Sequence, residues 1–378
     1  MSKTRPTLNR RLLTILLVLG VVRVAAPAPV AAVVSIGVTP SVVQLEAGSG
    51  AEVKRELTVS NEGDEPLEAT TGVTVLDGAE DARGAVSWVT VDPPRIELDP
   101  EERQVLTVTV DVPADLASGG YYAVVTITTT ARPVEDGDVA VAGEVGVPLL
   151  ITVDGESEVT LRPVVERFAA VLEPDGRTGF RAEVRNDGNT HAVLRGTLES
   201  DDDAAPIEDA AFRGPTLLLP GATVVLEGRP SQLLESGRTY RVTGELDYGA
   251  RDPLLIETTF TAEPPAVELR APIVCTTGDG VLGLRLELTN EGDLGVAPTA
   301  TLTTTMVDGG APGGPIDVEL PVAWPNDISE SVVSGLGELE PGTYDLTVVL
   351  RVGTATPQAQ TVTFQAGGDD QDAVEACG

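Results

Sequence analysis

The chain has 378 residues, with 59 acids against 25 Lys and Arg, and a net charge of −34. Such a surface repels nucleic-acid phosphates and anionic lipid headgroups, which excludes nucleic acid as a partner. Hydrophobic residues reach 42% but aromatics only 3%, so the cores must be built from Val, Leu, Ile and Ala.

Residues 1–32 are expected to be a signal peptide. Arg10 and Arg11 give a basic start, and Leu12 to Val22 is an eleven-residue, mostly apolar run ahead of Ala- and Pro-rich sequence. The run is short of the roughly 20 residues needed to cross a bilayer. No stable transmembrane anchor is expected after cleavage, and the destination is secreted or cell-envelope.

Beyond residue 32 the chain reads as all-β. Gly and Pro are frequent, and Thr and Val recur between turn signals. The first domain, 33–154, is predicted to hold strands at 36–38, 52–59, 67–75, 89–91, 104–112, 121–129 and 139–153. A short Gly155-Glu156 linker leads to a second domain, 155–263. The stiff joint Glu263-Pro264-Pro265 leads to a third, 264–366. An acidic tail, 367–378, closes the chain. Within the second domain, 163–172 fits a strand or a short helical turn.

Two motifs, each present three times, set this register. One is a strand running into an Asn-acid-Gly turn, at Asn61-Glu-Gly63, Asn186-Asp-Gly188 and Asn290-Glu-Gly292. Asn satisfies turn backbone, and Gly is expected there for its tolerance of positive φ. The other is a turn leading through Tyr into an apolar strand, at Tyr122, Tyr240 and Tyr344. A tyrosine in this place packs at the core edge and bonds back to upstream backbone. Asn186 to Tyr240 and Asn290 to Tyr344 are both 54 residues, and the period between these copies is 104. That period fits one immunoglobulin-like domain. The fold class is therefore three tandem immunoglobulin-like β-sandwich domains after a signal peptide. The first copy is longer, with 61 residues between Asn61 and Tyr122; its extra length is placed around 77–84.

The first domain carries Val38-Thr-Pro-Ser, Leu57-Thr-Val-Ser-Asn-Glu-Gly-Asp-Glu-Pro-Leu, Trp88-Val-Thr-Val-Asp-Pro-Pro-Arg-Ile and Ser118-Gly-Gly-Tyr-Tyr, in that order. This order resembles bacterial extracytoplasmic immunoglobulin-like domains of the pilus-chaperone-like type. Its nearest likeness is the N-terminal domain of WxL-interacting surface proteins, a family implicated in peptidoglycan binding. The resemblance is one of strands and turns, and it transfers no binding residue. The transmembrane helix that ends that surface family is missing.

No motif announces an enzyme. His191, the one histidine, follows a turn and is read as a surface residue. Nucleophile elbows, paired-Cys metal motifs and phosphate loops are absent. Scarce aromatics argue against a sugar cleft, with Trp88 assigned to a core and Trp324 in a different domain. No cofactor is expected, although Asp136 and Asp138, and Asp201 and Asp203, are candidate calcium ligands on acidic loops. An ion at 153–156 or 263–265 would stiffen a joint. Cys275 and Cys377 are expected to pair in an oxidising exterior, in preference to two free thiols or an intermolecular link. The functional reading is a non-catalytic secreted or envelope interaction protein with a protein partner, or alternatively a binder of cell-wall glycan.

Overall fold

The computed structural model describes residues 35–79, 83–130, 132–133, 140–200, 207, 210–213, 216–230, 233–276, 282–309, 313–334, 336, 339–366 and 377. The expected signal peptide, the tail apart from Cys377, and the calcium candidates Asp136, Asp138, Asp201 and Asp203 lie outside these residues. Apart from a 3-10 turn at Val86–Trp88, the regular structure described is strand.

The first sandwich holds β1 (Ile36–Thr39), β2 (Val43–Gly48), β3 (Glu52–Asn61), β4 (Leu67–Thr74), β5 (Val89–Asp92), β6 (Arg95–Leu98), β7 (Arg103–Asp111), β8 (Gly119–Thr129), the short pair β9 (Arg132–Pro133) and β10 (Ala140–Val141), and β11 (Glu144–Asp154). One sheet has the order β1-β3-β7-β5, and the facing sheet β2-β11-β8-β4-β6. β2 alternates buried and exposed residues along its length and pairs parallel with β11. The sequence reading misses β2 and β6, and joins β10 to β11 as one strand.

The second sandwich holds β12 (Pro163–Leu172), β13 (Thr178–Asn186), β14 (Ala192–Ser200), β15 (Thr216–Leu218), β16 (Thr223–Gly228), β17 (Thr239–Asp247) and β18 (Leu254–Thr261). The third holds β19 (Val267–Leu269), β20 (Ile273–Thr276), β21 (Leu282–Asn290), β22 (Gly295–Val296), β23 (Thr299–Met306), β24 (Ile316–Glu319), β25 (Asp327–Ser334), β26 (Gly342–Arg351) and β27 (Gln358–Ala366). The second pairs a β16-β13-β12-β22 sheet with β15-β14-β17-β18. In the third, β19, β20 and β25 all pair with β21, and the facing order is β24-β23-β26-β27. These are tandem immunoglobulin-like sandwiches. Residues 163–172 are strand throughout, so the helical alternative falls.

Each sandwich closes over its own apolar core. Leu57, Leu106, Val125 and Ile127 are fully buried in the first, Phe180, Leu194 and Val242 in the second, and Leu284, Leu346 and Val348 in the third. Each such side chain contributes about 1.5–3 kcal/mol of burial. Scarce rings are concentrated in the second core, where Phe180 and Tyr240 both pack on Phe260.

The three Asn turns share one hydrogen-bond set. Asn61 Nδ2 donates to Glu65 O and Leu98 O, Asn186 Nδ2 to Thr190 O and Leu218 O, and Asn290 Nδ2 to Leu294 O and Ala323 O. In each, Oδ1 accepts from the glycine two residues on, at Gly63, Gly188 or Gly292. All three asparagines are buried at 0–2% exposure. One amide therefore clasps a four-residue turn to the next strand connection, and leaving its partners unmade would cost about 1–3 kcal/mol per group. The glycines are not needed for positive φ, which none of the three adopts. At Gly188 the need is space, because a Cβ would collide with the Thr160 carbonyl.

Candidate functional site

The residues held between sandwiches, and the strand left open at the far end, are where the structure departs most from a string of independent modules.

At the first joint, Tyr122 of β8 and Leu150 of β11 are buried against Leu219 of the second sandwich, with Leu76, Ala79, Leu217 and Ala222 around them. This corrects the assignment of Tyr122 as a corner residue. Tyr121 holds that place: its hydroxyl donates to Ala117 O at 2.8 Å, and its ring lies 4.9 Å from Trp88. Tyr344 matches it by donating to Glu340 O, and Tyr240 bonds the same region by accepting from Glu235 N. Side chains alternate across a strand, so of two adjacent tyrosines only one can enter the core. Tyr122 points the other way, into the joint. Its hydroxyl is fully buried and lies towards the His191 backbone N–H without reaching hydrogen-bond geometry. Burial pushes its pKa strongly up. Leu76, and Ala79 within the 77–84 stretch expected to hold the extra length of the first domain, pack against this cluster.

The second Asn turn supplies the polar half of this joint. Gly120 N donates to Asn189 O at 2.8 Å, and Asn189 Nδ2 donates to Ser118 O at 3.3 Å. His191 stands edge-on to Tyr122 with centroids 5.7 Å apart. It is half-buried, its Nδ1 has no partner, and burial lowers its pKa. The expectation of a surface histidine is therefore corrected: the covering residues come from the preceding sandwich. The Arg83 guanidinium lies over the Tyr121 ring at 5.3 Å, with a buried Nη1 that also has no partner.

The second joint is built differently. β22 belongs to the third sandwich by sequence, yet it pairs parallel with β12 at Val171↔Gly295 and Leu172↔Val296. Ala297 N extends the ladder by donating to Leu172 O at 2.9 Å. Arg167 donates to Asp327 Oδ2 at 2.7 Å and lies 5.6 Å from the Trp324 ring centre. Beside this contact is a cleft of about 460 Å³, with Phe168, Thr258 and Thr259 on the second sandwich and Asp293, Trp324 and Asn326 on the third. Trp324 is half-buried. Asn326 takes φ of 53°, a left-handed conformation that Asn tolerates better than most residues.

In the third sandwich, β25 pairs only with β21 among the described residues, so it stands at an edge of its sheet. Ile328 and Val332 on this eight-residue strand are 51% and 48% exposed. Cys275 on β20 is bonded to Cys377, both sulfurs lying in buried residues. Among the described residues no group of three His, Cys, Asp or Glu is gathered for a metal, and no helix is long and apolar enough to cross a membrane.

No family model matches the chain, and no curated protein matches it. Solved structures similar to it include the SafA pilin–SafB chaperone complex of Salmonella enterica, at 16% identity over 61% of this chain and 97% of that one, with a TM-score of 0.34. The YadV chaperone is similar at 12% identity, over 59% and 98%, with a TM-score of 0.35. The CupB2 chaperone of Pseudomonas aeruginosa is similar at 14% identity, over 60% and 100%, with a TM-score of 0.32. Likeness at this level names no ligand and no partner for this chain.

Proposed function

We propose that this chain is a non-catalytic, exported interaction protein whose fixed sandwiches present an open strand edge to an extended segment of a protein partner. The observation that carries this reading is β25. Natural sheets cover or charge their long edges, because an uncovered edge recruits another strand. An eight-residue edge bearing exposed Ile328 and Val332 suits a partner that adds a strand and seats alternate side chains. The placement of the one histidine in a joint supports the non-catalytic reading, and the Cys275–Cys377 bond supports an oxidising, extracytoplasmic location. A finer kinship, with the N-terminal domain of WxL-interacting surface proteins, rests on the order of strands and turns in the first domain alone.

The test places a photo-crosslinking residue at Val332 in the exported chain and recovers its adducts. A single protein adduct is expected, and Ile328→Lys in the same chain reduces capture at least about tenfold. Capture that is unchanged by Ile328→Lys, or that is equally strong from a position on β3, sinks the edge reading.

A further inference from the structure

The second and third sandwiches build the same edge strand in two different ways. β16 pairs with β13, and β25 with β21, each antiparallel to the strand that ends in the Asn turn. Ala182 and Val184 lie 104 residues before Leu286 and Leu288. Their cross-strand partners are Leu226 and Val224 in the second sandwich, but those of Leu286 and Leu288 in the third are Ser331 and Ser329. Directly opposite residues share a face of the sheet. The third sandwich therefore sets two serines at the rim of its core where the second sets two aliphatic side chains. Ser331 is buried, and Ser329 turns its hydroxyl to Val322 O. The second edge is also covered by its own chain. Phe212 bridges Gly228, the Arg213 N–H donates to Glu227 O at 2.8 Å, and Phe212 is buried in the core. Ile316, 104 residues after Phe212, instead pairs with Leu302 of β23 and is 37% exposed. Among the described residues, nothing covers β25 as Phe212 and Arg213 cover β16.

A charge is missing at the same place. Glu330 stands directly opposite Glu287, a like-charge pair that destabilises a sheet. Glu287 is engaged by Arg270 at 2.7 Å, from the β19 side. Glu330 is exposed and has no ion pair or side-chain hydrogen bond among the described residues. We propose that the segment recognised by β25 carries a Lys or Arg beside Glu330, with bulky apolar residues on both sides of that cation. This rests on the edge reading and names the chemistry of its partner. In an added strand, the residue opposite Glu330 faces outward and sets its cation against the carboxylate. Its two neighbours point inward, over Ser329 and Ser331. They supply the apolar cover that Val224, Leu226 and Phe212 give the second core. The next residue on each side lies beside exposed Ile328 or Val332 and is apolar too. The pattern reads alike in both directions, so it serves parallel and antiparallel addition equally. A second copy of this chain is a poor occupant. Its β25 would bring another Glu330 and two more serines, on a chain of net charge −34.

The experiment titrates the full exported chain into short fluorescent peptides and follows their anisotropy. One peptide carries Arg at the centre of a run of Ile and Val, with Thr at its ends. An isomer exchanges that Arg with a terminal Thr, so net charge and composition are unchanged. Another keeps the central Arg and replaces its two neighbours by Ser. The Arg-centred peptide should bind at least about threefold more tightly than its isomer, and at least about tenfold more tightly than the Ser peptide. Glu330→Gln should erase the preference over the isomer. Ser331→Leu, which places there the residue that the second sandwich has, should weaken the Arg-centred peptide by filling the space its inward residues take. Equal binding of the two isomers, or of the Ser peptide, overturns the proposal, as does no binding of any peptide. Crosslinks at Val332 between two copies of the chain overturn it in favour of self-association. Capture of another protein at Val332 uses no peptide, so the peptides can fail while the edge reading stands.

Discussion

At the first joint Tyr122, Leu150 and Leu219 shut water away from a hydroxyl that has no partner, whereas at the second Val171–Leu172 and Gly295–Val296 hydrogen-bond as neighbouring strands. Apolar burial is strong but non-directional. Strand pairing is directional and fixes register one residue at a time. The first joint is therefore held by a contact that depends on exclusion of water and on the charge state of its lining. The second adds backbone strand pairing to a small apolar contact of Val171 with Ala297 and Val322, and to an exposed ion pair. The same Asn-clasped turn serves both, with Asn189 and His191 facing backwards onto the first sandwich, and Gly295 and Val296 backwards onto the second. One local device thus presents two different surfaces.

The largest effect should come from removing the ring at the first joint. Tyr122→Ala should destabilise it by about 3 kcal/mol, as for other buried large-to-small changes. Amide exchange reads the two joints separately: protection of Gly120 N–H, which bonds to Asn189 O, should collapse, while that of Ala297 N–H, bonded to Leu172 O, should hold. Equal loss at both amides would show that the joints form a single unit and end the contrast.

A smaller effect is expected from pH. Burial lowers the His191 pKa below its usual 6.5, so the docked joint disfavours the imidazolium. The ring facing it is the neutral Tyr122, which adds no negative charge to stabilise the imidazolium. Docking is at full strength above the unperturbed pKa and weakens as pH falls through it towards the lowered value. Exchange at Gly120 should quicken between about pH 7.5 and about pH 5, and His191→Gln should flatten that dependence. A dependence that survives His191→Gln would assign it to another group.

The smallest effect belongs to the ion pair of the second joint. Arg167 and Asp327 side chains are 46% and 38% exposed, so Arg167→Ala should cost less than about 1 kcal/mol and less still in high salt. A larger loss of Ala297 protection would mean that side chains, and not strand pairing, carry this joint.

What was legible in the sequence was local. The asparagine clasp closes within four residues, so its chemistry shows in the Asn-acid-Gly spacing, and the alternation in β3, β13 and β21 points one face of each strand to a core. What stayed hidden depended on distant chain. Adjacent Tyr121 and Tyr122 read alike until the strand assigns them to opposite faces. His191 gains its cover from β8, some 70 residues upstream. Trp324 read only as a ring in a different domain from Trp88, because its place beside Arg167 of β12 depends on a contact between sandwiches. β2 was missed although its alternation is regular, since its partner β11 lies about 100 residues away.

The strand borrowed at the second joint bears on how such a chain is divided and inherited. A gene fragment cut at the Pro264-Pro265 linker would encode a second sandwich stripped of the partner for Val171 and Leu172. It would leave that edge sticky, and would leave the downstream piece with a loose end at Gly295–Val296. The visible linker is thus not the seam. Recombination that respected the fold would have to carry the second and third sandwiches together, which makes the pair, and not the single immunoglobulin-like module, the smallest portable part of this end of the chain.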